Sequence, residues 1–346
     1  SCFPGDISIE TVITEGQEYH LFSIRDFDFQ INEVQNSGMP SIPFTSESFL
    51  LPSGTEVDTI EILSATWDTL PGKYYLYPSQ TVTVTDTAFT PPDSSTYSSS
   101  EPFPVMPVIV LRQGSAMGYS IVTLAGTPIR YIPADSTVMV LTSVILDIRT
   151  GPSESELIVP NRETEWSAAI REHGILSLVS NPEDIACYAQ PPSVSFRNRT
   201  SPLNITVSPS SEGDGVDMVI ITSEELADDF EQVADYRTQQ GIVTVIRTVE
   251  WINQFYSGLD SPERIRNFIR DAHLEWGIQA ILIGGDSDIV PVRECNGWNY
   301  IPGPSPIYQA PSDDYYADID GDWSYNGSIW FTSASENYLD LCTGRW

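Results

Sequence analysis

The sequence predicts a two-domain protein, an all-β sandwich-like domain followed by an α/β domain with a parallel sheet. From residue 5 to about 151, short runs rich in Val, Ile, Thr, Tyr and Phe are separated by Pro and Gly, without sustained helical spacing. From Asp217 onward, apolar strands alternate with amphipathic helices, a pattern typical of a parallel sheet with right-handed crossovers. With 346 residues, the chain can form two cores. We therefore place the domains at 1–151 and 217–346, joined by a connecting segment and linker at 152–216.

The β-rich part contains one long alternating run and one polar stretch. Residues 137–148 alternate apolar and polar side chains, which predicts a half-buried strand. Residues 19–31 alternate with a shift of phase, which predicts a bulged strand. Residues 90–104, with their run of Pro and Ser, have little to bury and predict an exposed loop. These features favour an antiparallel sandwich.

The connecting segment contains a short helical pattern and then a linker composition. Residues 163–173 predict a short helix, and the prolines that follow it exclude a long regular element. Residues 208–215 read Ser-Pro-Ser-Ser-Glu-Gly-Asp-Gly, the composition of a flexible linker.

The α/β part carries the signals of three strands and two helices. Strands are predicted at 218–222, 242–248 and 279–284. Thr222 and Glu225 have the spacing of a capping box for a first helix, and Pro262 is favourable at the start of a second. Gly277 is expected to end that second helix.

Polar residues follow two of the predicted strands. The third strand runs directly into Gly284, Gly285, Asp286, Ser287 and Asp288. Ligand sites of open α/β sheets lie at the carboxyl ends of their strands, so Ser223, Asp286 and Asp288 are candidates for the rim of a site. The alternative is that these side chains cap and solubilise turns.

The charge balance excludes several classes of partner. The 48 acidic and 16 basic residues give a net charge of −32, so nucleic acid and anionic membranes, which require a positive face, are not expected as partners. No apolar run is long enough to span a bilayer. The acidic surface suits calcium or high salt, or it keeps an exposed protein soluble.

An acidic loop is the candidate metal site. Asp318, Asp320 and Asp322 alternate around Gly321, a spacing that can surround calcium with oxygen ligands. The weaker candidates for further ligands are Asp313 and Asp314. A plain acidic turn is the alternative, and no organic cofactor is expected.

The four cysteines are too few and too widely spaced for a zinc cluster. In an extracellular protein we expect Cys295 to pair with Cys342, and Cys2 with Cys187. The alternative is four reduced thiols.

The α/β part resembles the start of the catalytic domain of gingipain-type cysteine peptidases, family C25, which have a caspase-like α/β fold. The matching motifs, in chain order, are Val219-Ile-Ile-Thr-Ser, Ala234-Asp-Tyr-Arg-Thr-Gln-Gln-Gly, Ile265-Arg-Asn-Phe-Ile, Trp276-Gly, Ile281-Leu-Ile-Gly-Gly-Asp-Ser-Asp-Ile-Val-Pro, Ser312-Asp-Asp-Tyr-Tyr-Ala-Asp-Ile-Asp-Gly-Asp-Trp and Thr343-Gly-Arg-Trp. The β-rich part resembles the pro-domain of the same family, through Gly38-Met-Pro-Ser-Ile-Pro, Leu51-Pro-Ser-Gly and Pro128-Ile-Arg-Tyr-Ile-Pro.

The resemblance implies a cysteine–histidine dyad on later strands, with the histidine in a Gly-His-Gly context that this sequence lacks. His20, His173 and His273 are not placed at strand ends, so no catalytic residue is expected in this chain. We therefore expect the N-terminal piece of a secreted or cell-surface cysteine endopeptidase, in zymogen or cleaved form. Its substrates would be proteins, and its dyad would lie on a C-terminal remainder, either a second chain or a lost segment. The alternative is an inactive extracellular surface or assembly protein.

If the β-rich part is a pro-domain, we expect it to cover the carboxyl ends of the strands around Ser223 and Asp286. A cut in the linker would then release activity. The alternative is an adhesion or folding module packed elsewhere.

Overall fold

The structure is a computed structural model, and it describes most of the chain. The described residues are 7–24, 37–80, 88–153, 157–194, 203–296, 309–321, 323–325, 331–332 and 338–346.

The β-rich part is built from antiparallel sheets, as the sequence predicts. Its strands are β1 (Ile7–Thr14), β2 (Gln17–Ile24), β3 (Thr45–Leu50), β4 (Thr55–Thr69), β5 (Val108–Ala116), β6 (Tyr119–Gly126), β7 (Ile129–Ile132) and β8 (Thr137–Pro152). One sheet has the order β3-β6-β5, a second has the order β4-β8-β7, and β1 forms a hairpin with β2. The predicted strand at 137–148 is confirmed within β8. The predicted bulged strand reaches only Ile24 in the described residues, because residues 25–36 lie outside them.

The stretch 90–104 is more than an exposed loop. It contains a one-turn helix, α1 (Ser94–Tyr97), which the Asp93 side chain caps by accepting a hydrogen bond from the Thr96 amide. Tyr97 is buried, and its hydroxyl donates to the Leu76 carbonyl at 2.9 Å. A single aromatic residue therefore ties this polar stretch to the core.

The connecting segment joins the β-rich part to the rest of the chain. Its elements are β9 (Glu163–Thr164), α2 (Glu165–Leu178), a 3-10 helix (Pro182–Cys187) and β10 (Ser193–Val194). The predicted short helix is confirmed as α2, which begins after the N-cap Thr164. Ile175 of α2 is fully buried in a cluster with Tyr119 of β6.

The α/β part forms a four-stranded, all-parallel sheet. Its elements are β11 (Met218–Thr222), α3 (Ala227–Gln239), β12 (Thr244–Thr248), α4 (Val249–Phe255), α5 (Ser261–Trp276), β13 (Ala280–Ile283) and β18 (Cys342–Arg345). The strand order is β12-β11-β13-β18, and each pair is parallel. The three predicted strands are confirmed at the centre and one edge of this sheet, and the fold class is confirmed with them.

The predicted start of helix α5 is confirmed, whereas the predicted start of α3 is wrong. In α5, Pro262 lies in the first turn, Asp260 caps the start, and Gly277 closes the end with φ of 83°. By contrast, α3 begins at Ala227 without a side-chain cap. The predicted capping box fails because Thr222 is the last residue of β11, and its hydroxyl donates to the Gly284 carbonyl at 2.7 Å.

A second, smaller sheet lies between β13 and β18 in the sequence. It consists of β14 (Arg293–Asn296), β15 (Gln309–Ser312), β16 (Ser324–Tyr325) and β17 (Phe331–Thr332), in the order β15-β14-β17-β16. A one-turn helix, α6 (Asp314–Ala317), follows β15. No sequence pattern indicated this sheet.

The expected disulfide between Cys295 and Cys342 is wrong, because both residues are free thiols. Cys342 is in register with Ala280, at the amino end of β13. Cys295 lies in the second sheet, after the chain has left the carboxyl end of β13, and pairs there with Ala310. Cys187 is also a free, exposed thiol, and its expected partner Cys2 lies outside the described residues.

Among the helices of the described residues, none combines the length and the apolar character that crossing a lipid bilayer requires.

Candidate functional site

The carboxyl end of the parallel sheet brings the predicted rim residues to one edge. Ser223 follows β11 and Asp286 follows β13, and the two strands are neighbours in register at Ile221 and Ile283. The Ser223 hydroxyl accepts a hydrogen bond from the Leu226 amide at 3.3 Å, and Asp286 Oδ1 accepts one from the Asp288 amide at 3.0 Å. Both side chains therefore cap turns, which was the alternative to a site rim. They nevertheless lie at the edge of the sheet where ligands of open α/β sheets bind.

Arg345, at the end of β18, fixes the turn that carries Asp286. Its guanidinium donates to the carbonyls of Gly285 and Val290 at 2.9 and 2.8 Å. The same group forms an ion pair with Asp313, 2.5 Å between Nη2 and Oδ1. Beside this turn, Trp346 is 76% exposed, so a large aromatic surface faces solvent at the carboxyl end.

The amino end of the sheet is closed by polar contacts with the connecting segment. Asp217 immediately precedes β11 and is fully buried. Its carboxylate accepts hydrogen bonds from the Thr164 hydroxyl, from the Ser167 hydroxyl at 2.9 Å and from the Val243 amide at 2.7 Å. Burial raises the pKa of Asp217, and these three donors oppose that shift.

The β-rich part also contacts the α/β part near the amino end of β18. The Met117 amide, in the turn between β5 and β6, donates to Asp340 Oδ1 at 2.8 Å. Thr123 and Tyr338 share a hydrogen bond of 2.5 Å between their hydroxyls, and the guanidinium of Arg112 lies 4.4 Å from the centre of the Tyr338 ring. Asp340 comes two residues before β18. This contact is therefore at the opposite end of the sheet from Asp286.

The expectation that the β-rich part covers the carboxyl ends is wrong for the described residues. The hydrogen bonds observed between residues 7–194 and the sheet region lie at strand amino ends, at the end of α5, in the acidic loop and in segment 203–216. The physical reason is that the polar acceptors at the amino end, Asp217 and Asp340, are buried and require donors. Ser223 and Asp286 satisfy donors of their own turns.

Three carboxylates converge at this interdomain contact. One carboxylate oxygen each of Asp318, Asp320 and Asp340 lies within 4.8 Å of the other two. Asp318 accepts hydrogen bonds from the Gly321 amide at 2.8 Å and from the Trp323 indole at 3.1 Å, and Asp320 accepts one from the Ser115 hydroxyl of the β-rich part.

The electrostatics of this carboxylate cluster, Asp318, Asp320 and Asp340, favour a bound cation or proton. Burial raises the pKa of Asp318 to about 7, and burial also raises the pKa of Asp320. Burial, together with repulsion from its two neighbours, raises the pKa of Asp340 well above its ordinary value. An all-oxygen donor set of this kind fits a hard cation such as calcium.

The predicted metal ligands are only partly brought together. Asp318 and Asp320 belong to the carboxylate cluster, and Asp322 lies outside the described residues. Asp313 is paired with Arg345, and Asp314 is exposed in the first turn of α6, so neither belongs to the cluster.

The third carboxylate of the cluster, Asp340, was not among the residues predicted from the sequence. Asp340 lies 20 residues beyond Asp320 in the sequence, and no local motif marks it. The one available signal was its place directly before the apolar start of a strand.

No described cysteine is paired with a histidine base. Burial raises the pKa of Cys295 to about 11 and also raises the pKa of Cys342, the opposite of the shift that a nucleophilic thiolate requires. His20 accepts a hydrogen bond from the Tyr75 amide in the β-rich part, and His173 lies on α2. His273 is fully buried in α5, where burial lowers its pKa to about 4.

The fold is that of an α/β domain, with a four-stranded parallel sheet and helices in its crossovers. Residues 211–346 match the family model described as Peptidase family C25. The resemblance to gingipain-type peptidases is therefore confirmed over that range.

Comparison with solved structures finds gingipains of Porphyromonas gingivalis. A complex of the RgpB pro- and mature domains is 14% identical, over 51% of this chain and 87% of the matched chain, with a TM-score of 0.41. A structure concerning the zymogenic latency of gingipain K is 18% identical, over 42% of this chain and 82% of the matched chain, with a TM-score of 0.35. No curated protein matches the chain.

Proposed function

We propose that this chain is the N-terminal part of a secreted, gingipain-like cysteine endopeptidase precursor that acts on protein substrates. The β-rich part would be its pro-domain, and the α/β part the beginning of its catalytic domain. The catalytic cysteine and histidine would lie in a C-terminal remainder, present as a second chain or as a segment lost by cleavage.

The free edge of β18 is the observation that carries the proposal. The Cys342 amide donates to the Gln279 carbonyl, and the Trp346 amide donates to the Ile283 carbonyl. Because backbone groups in a parallel strand alternate in direction, those of Thr343 and Arg345 point away from β13. Within the described residues, no strand pairs with that side of β18. A free edge beside an open carboxyl end suits a further strand carrying the catalytic residues.

The raised pKa values of the two thiols support the same assignment. With a pKa of about 11, the Cys295 thiol is almost wholly protonated at neutral pH. Cys342 is at the amino end of its strand, away from Ser223 and Asp286, where a substrate would bind.

The test compares the whole gene product with its Cys295→Ala and Cys342→Ala variants. We expect casein hydrolysis that iodoacetamide blocks and that neither substitution reduces by more than about twofold, because neither thiol is placed for attack. Loss of activity in a folded Cys295→Ala or Cys342→Ala protein would place the nucleophile in this chain and overturn the assignment. Absence of thiol-dependent hydrolysis in the whole product would favour an inactive extracellular surface or assembly protein.

We also propose that the carboxylate cluster binds calcium at the contact between the two parts. Asp318, Asp320 and Asp340 supply oxygen donors, and a cation would neutralise the negative charges that burial, and repulsion at Asp318 and Asp340, disfavour. Asp340 is the third proposed calcium ligand, beside Asp318 and Asp320.

The calcium proposal is tested by thermal unfolding of the 346-residue chain in calcium and in chelator. Calcium is expected to raise Tm by several degrees, because a ligand that binds only the folded state stabilises it. The response should disappear in Asp340→Asn and persist in Asp286→Asn, the matched control at the other end of the sheet. An equal Tm in calcium and in chelator would favour a proton-sharing acidic turn.

A further inference from the structure

The segment with the composition of a flexible linker is closed into a loop. The Asp214 amide donates to the Asn204 carbonyl at 2.8 Å, and the Asn204 amide donates to Asp214 Oδ2 at 2.6 Å. Residues 205–213 lie between these two hydrogen bonds. A compact loop whose ends meet in this way is of the Ω type. We call the segment 204–214 the strap.

Arg162, a side chain of the connecting segment, holds the second half of the strap, residues 210–214. Arg162 is only 9% exposed, and its guanidinium donates to four strap carbonyls. The acceptors are the carbonyls of Ser210 at 2.9 Å, Ser211 at 3.3 Å, Gly213 at 2.7 Å and Asp214 at 3.2 Å. The same group donates to the Glu275 carbonyl at the end of α5, at 3.0 Å. The planar guanidinium of arginine carries several N–H donors and can bond to several acceptors at once. The compact ammonium of lysine does this less well.

The first half of the strap, at residues 206 and 207, is attached to the α/β part. Arg247 of β12 donates to the carbonyls of Thr206 and Val207 at 3.1 and 2.8 Å. The Trp276 indole donates to the Thr206 hydroxyl at 3.0 Å. Gly213 is required for closure, because a Cβ at this position would lie 2.6 Å from the Asn204 carbonyl oxygen.

We infer that Arg162 locks the strap, so that the apparent linker between the two parts resists proteolysis in the folded protein. A peptidase binds its substrate as an extended chain, with backbone carbonyls and amides free to bond to the enzyme. The strap must therefore open locally before it can be cut. Processing of the folded protein between its two parts then requires release of Arg162. This inference concerns the chain itself and does not rest on the proposed peptidase function.

The test uses a peptidase that cleaves after Glu and Asp, applied to the folded 346-residue chain. Its target bonds in the strap region follow Glu212 and Asp214, and mass spectrometry identifies the products. We expect the wild type to be cut there at least about 100-fold more slowly than a synthetic peptide of residues 203–216. Equal rates would overturn the inference.

Two variants identify the cause of the resistance. Arg162→Gln should increase the cutting rate about 100-fold, because glutamine cannot replace the charged group that donates to four strap carbonyls. Gly213→Ala should also increase the rate, by forcing the strap apart while Arg162 is intact. The matched controls are Arg149→Gln, at a guanidinium 65% exposed, and Gly151→Ala, where an added Cβ lies no closer than 3.9 Å to any neighbour.

Unchanged resistance in both folded variants would show that another contact holds the strap. If Arg162→Gln does not fold, Gly213→Ala and the comparison with the peptide decide the inference.

Discussion

The two ends of the parallel sheet are held by contacts of different kinds. At the amino end, Asp217 is fully buried, and its carboxylate accepts three hydrogen bonds, two of them from the connecting segment. At the carboxyl end, Asp286 is exposed, and its carboxylate accepts a hydrogen bond from the Asp288 amide two residues away. The comparison indicates that the β-rich part and the connecting segment support the sheet from its amino end. The carboxyl end is held by contacts within the α/β part, such as those of Arg345 with the turn that carries Asp286.

The largest expected effect comes from the buried ion pair of the connecting segment. Arg171 and Glu163 are 3% and 4% exposed and lie 2.9 Å apart. Arg171→Met leaves a buried carboxylate without its cation, so the free energy of unfolding in urea should fall by about 3 to 5 kcal/mol.

The control is Arg149→Met, in an exposed pair with Glu61, which should cost less than about 1 kcal/mol. The double variant Arg171→Met with Glu163→Gln should recover part of the loss, because no buried charge remains. If Arg171→Met is no more destabilising than Arg149→Met, the connecting segment does not support the sheet in the way described.

A second effect depends on pH. Burial lowers the pKa of His273 in the folded protein to about 4, from 6.5 in the unfolded chain, with a smaller contribution from Arg171. Below pH 6.5 the unfolded chain binds a proton that the folded protein does not. Stability from this residue is therefore complete above pH 6.5 and falls as pH decreases toward 4, by about 3 kcal/mol in total.

The measurement compares urea unfolding of the wild type and of His273→Gln between pH 7 and 4. The wild type should lose stability more steeply, because the variant lacks this proton-linked step. Parallel pH profiles would show that His273 titrates normally and is not enclosed at the amino end.

A third prediction compares the stability lost on substituting Asp217, at the amino end, with that lost on substituting Asp286, at the carboxyl end. Asp217→Ala leaves three donors without their acceptor and should reduce stability by about 2 kcal/mol or more. Asp286→Ala removes a turn contact at an exposed position and should cost less than about 1 kcal/mol. Thermal and urea unfolding of both variants check the order. A reversed order would contradict the contrast between the ends.

The smallest effect is chemical and leaves stability unchanged. Cys342 is exposed at the amino end of the edge strand, whereas Cys295 is 7% exposed with a pKa near 11. Because the thiolate is the reactive species, Cys342 should react with a disulfide reagent at pH 8 at least about 10-fold faster than Cys295. Peptide mapping assigns the modified residue, and denatured protein, in which both should react, provides the control.

The sequence predicted the elements that depend on local signals. The buried apolar strands at β11 and β13 and the helix between Pro262 and Gly277 are set by composition and backbone preferences within a few residues. The capping box failed for a physical reason. The Thr222 hydroxyl donates instead to the carbonyl of Gly284, which follows β13 and lies 62 residues away in the sequence.

The features that the sequence did not predict depend on partners far apart in the chain. The strap has the composition of a linker, and its order comes from Arg162, about 50 residues before it. The third carboxylate of the cluster, Asp340, is likewise positioned by the Met117 amide, 223 residues earlier. Single-sequence patterns carry no information about such pairings, so the sequence did not indicate that the described residues of the β-rich part contact the amino end of the sheet.

The burial of Ile158 bears on how this protein can be divided for production. Ile158 belongs to the connecting segment, yet it lies 5% exposed in the core of the α/β part, beside Val216 and Trp276. Arg162 also places its carbonyl oxygen 2.4 Å from where a Cβ on Gly277 would be, so the two segments pack backbone to backbone. A recombinant α/β fragment beginning at residue 217 would therefore lack part of its own interior. One beginning before Ile158 would retain it.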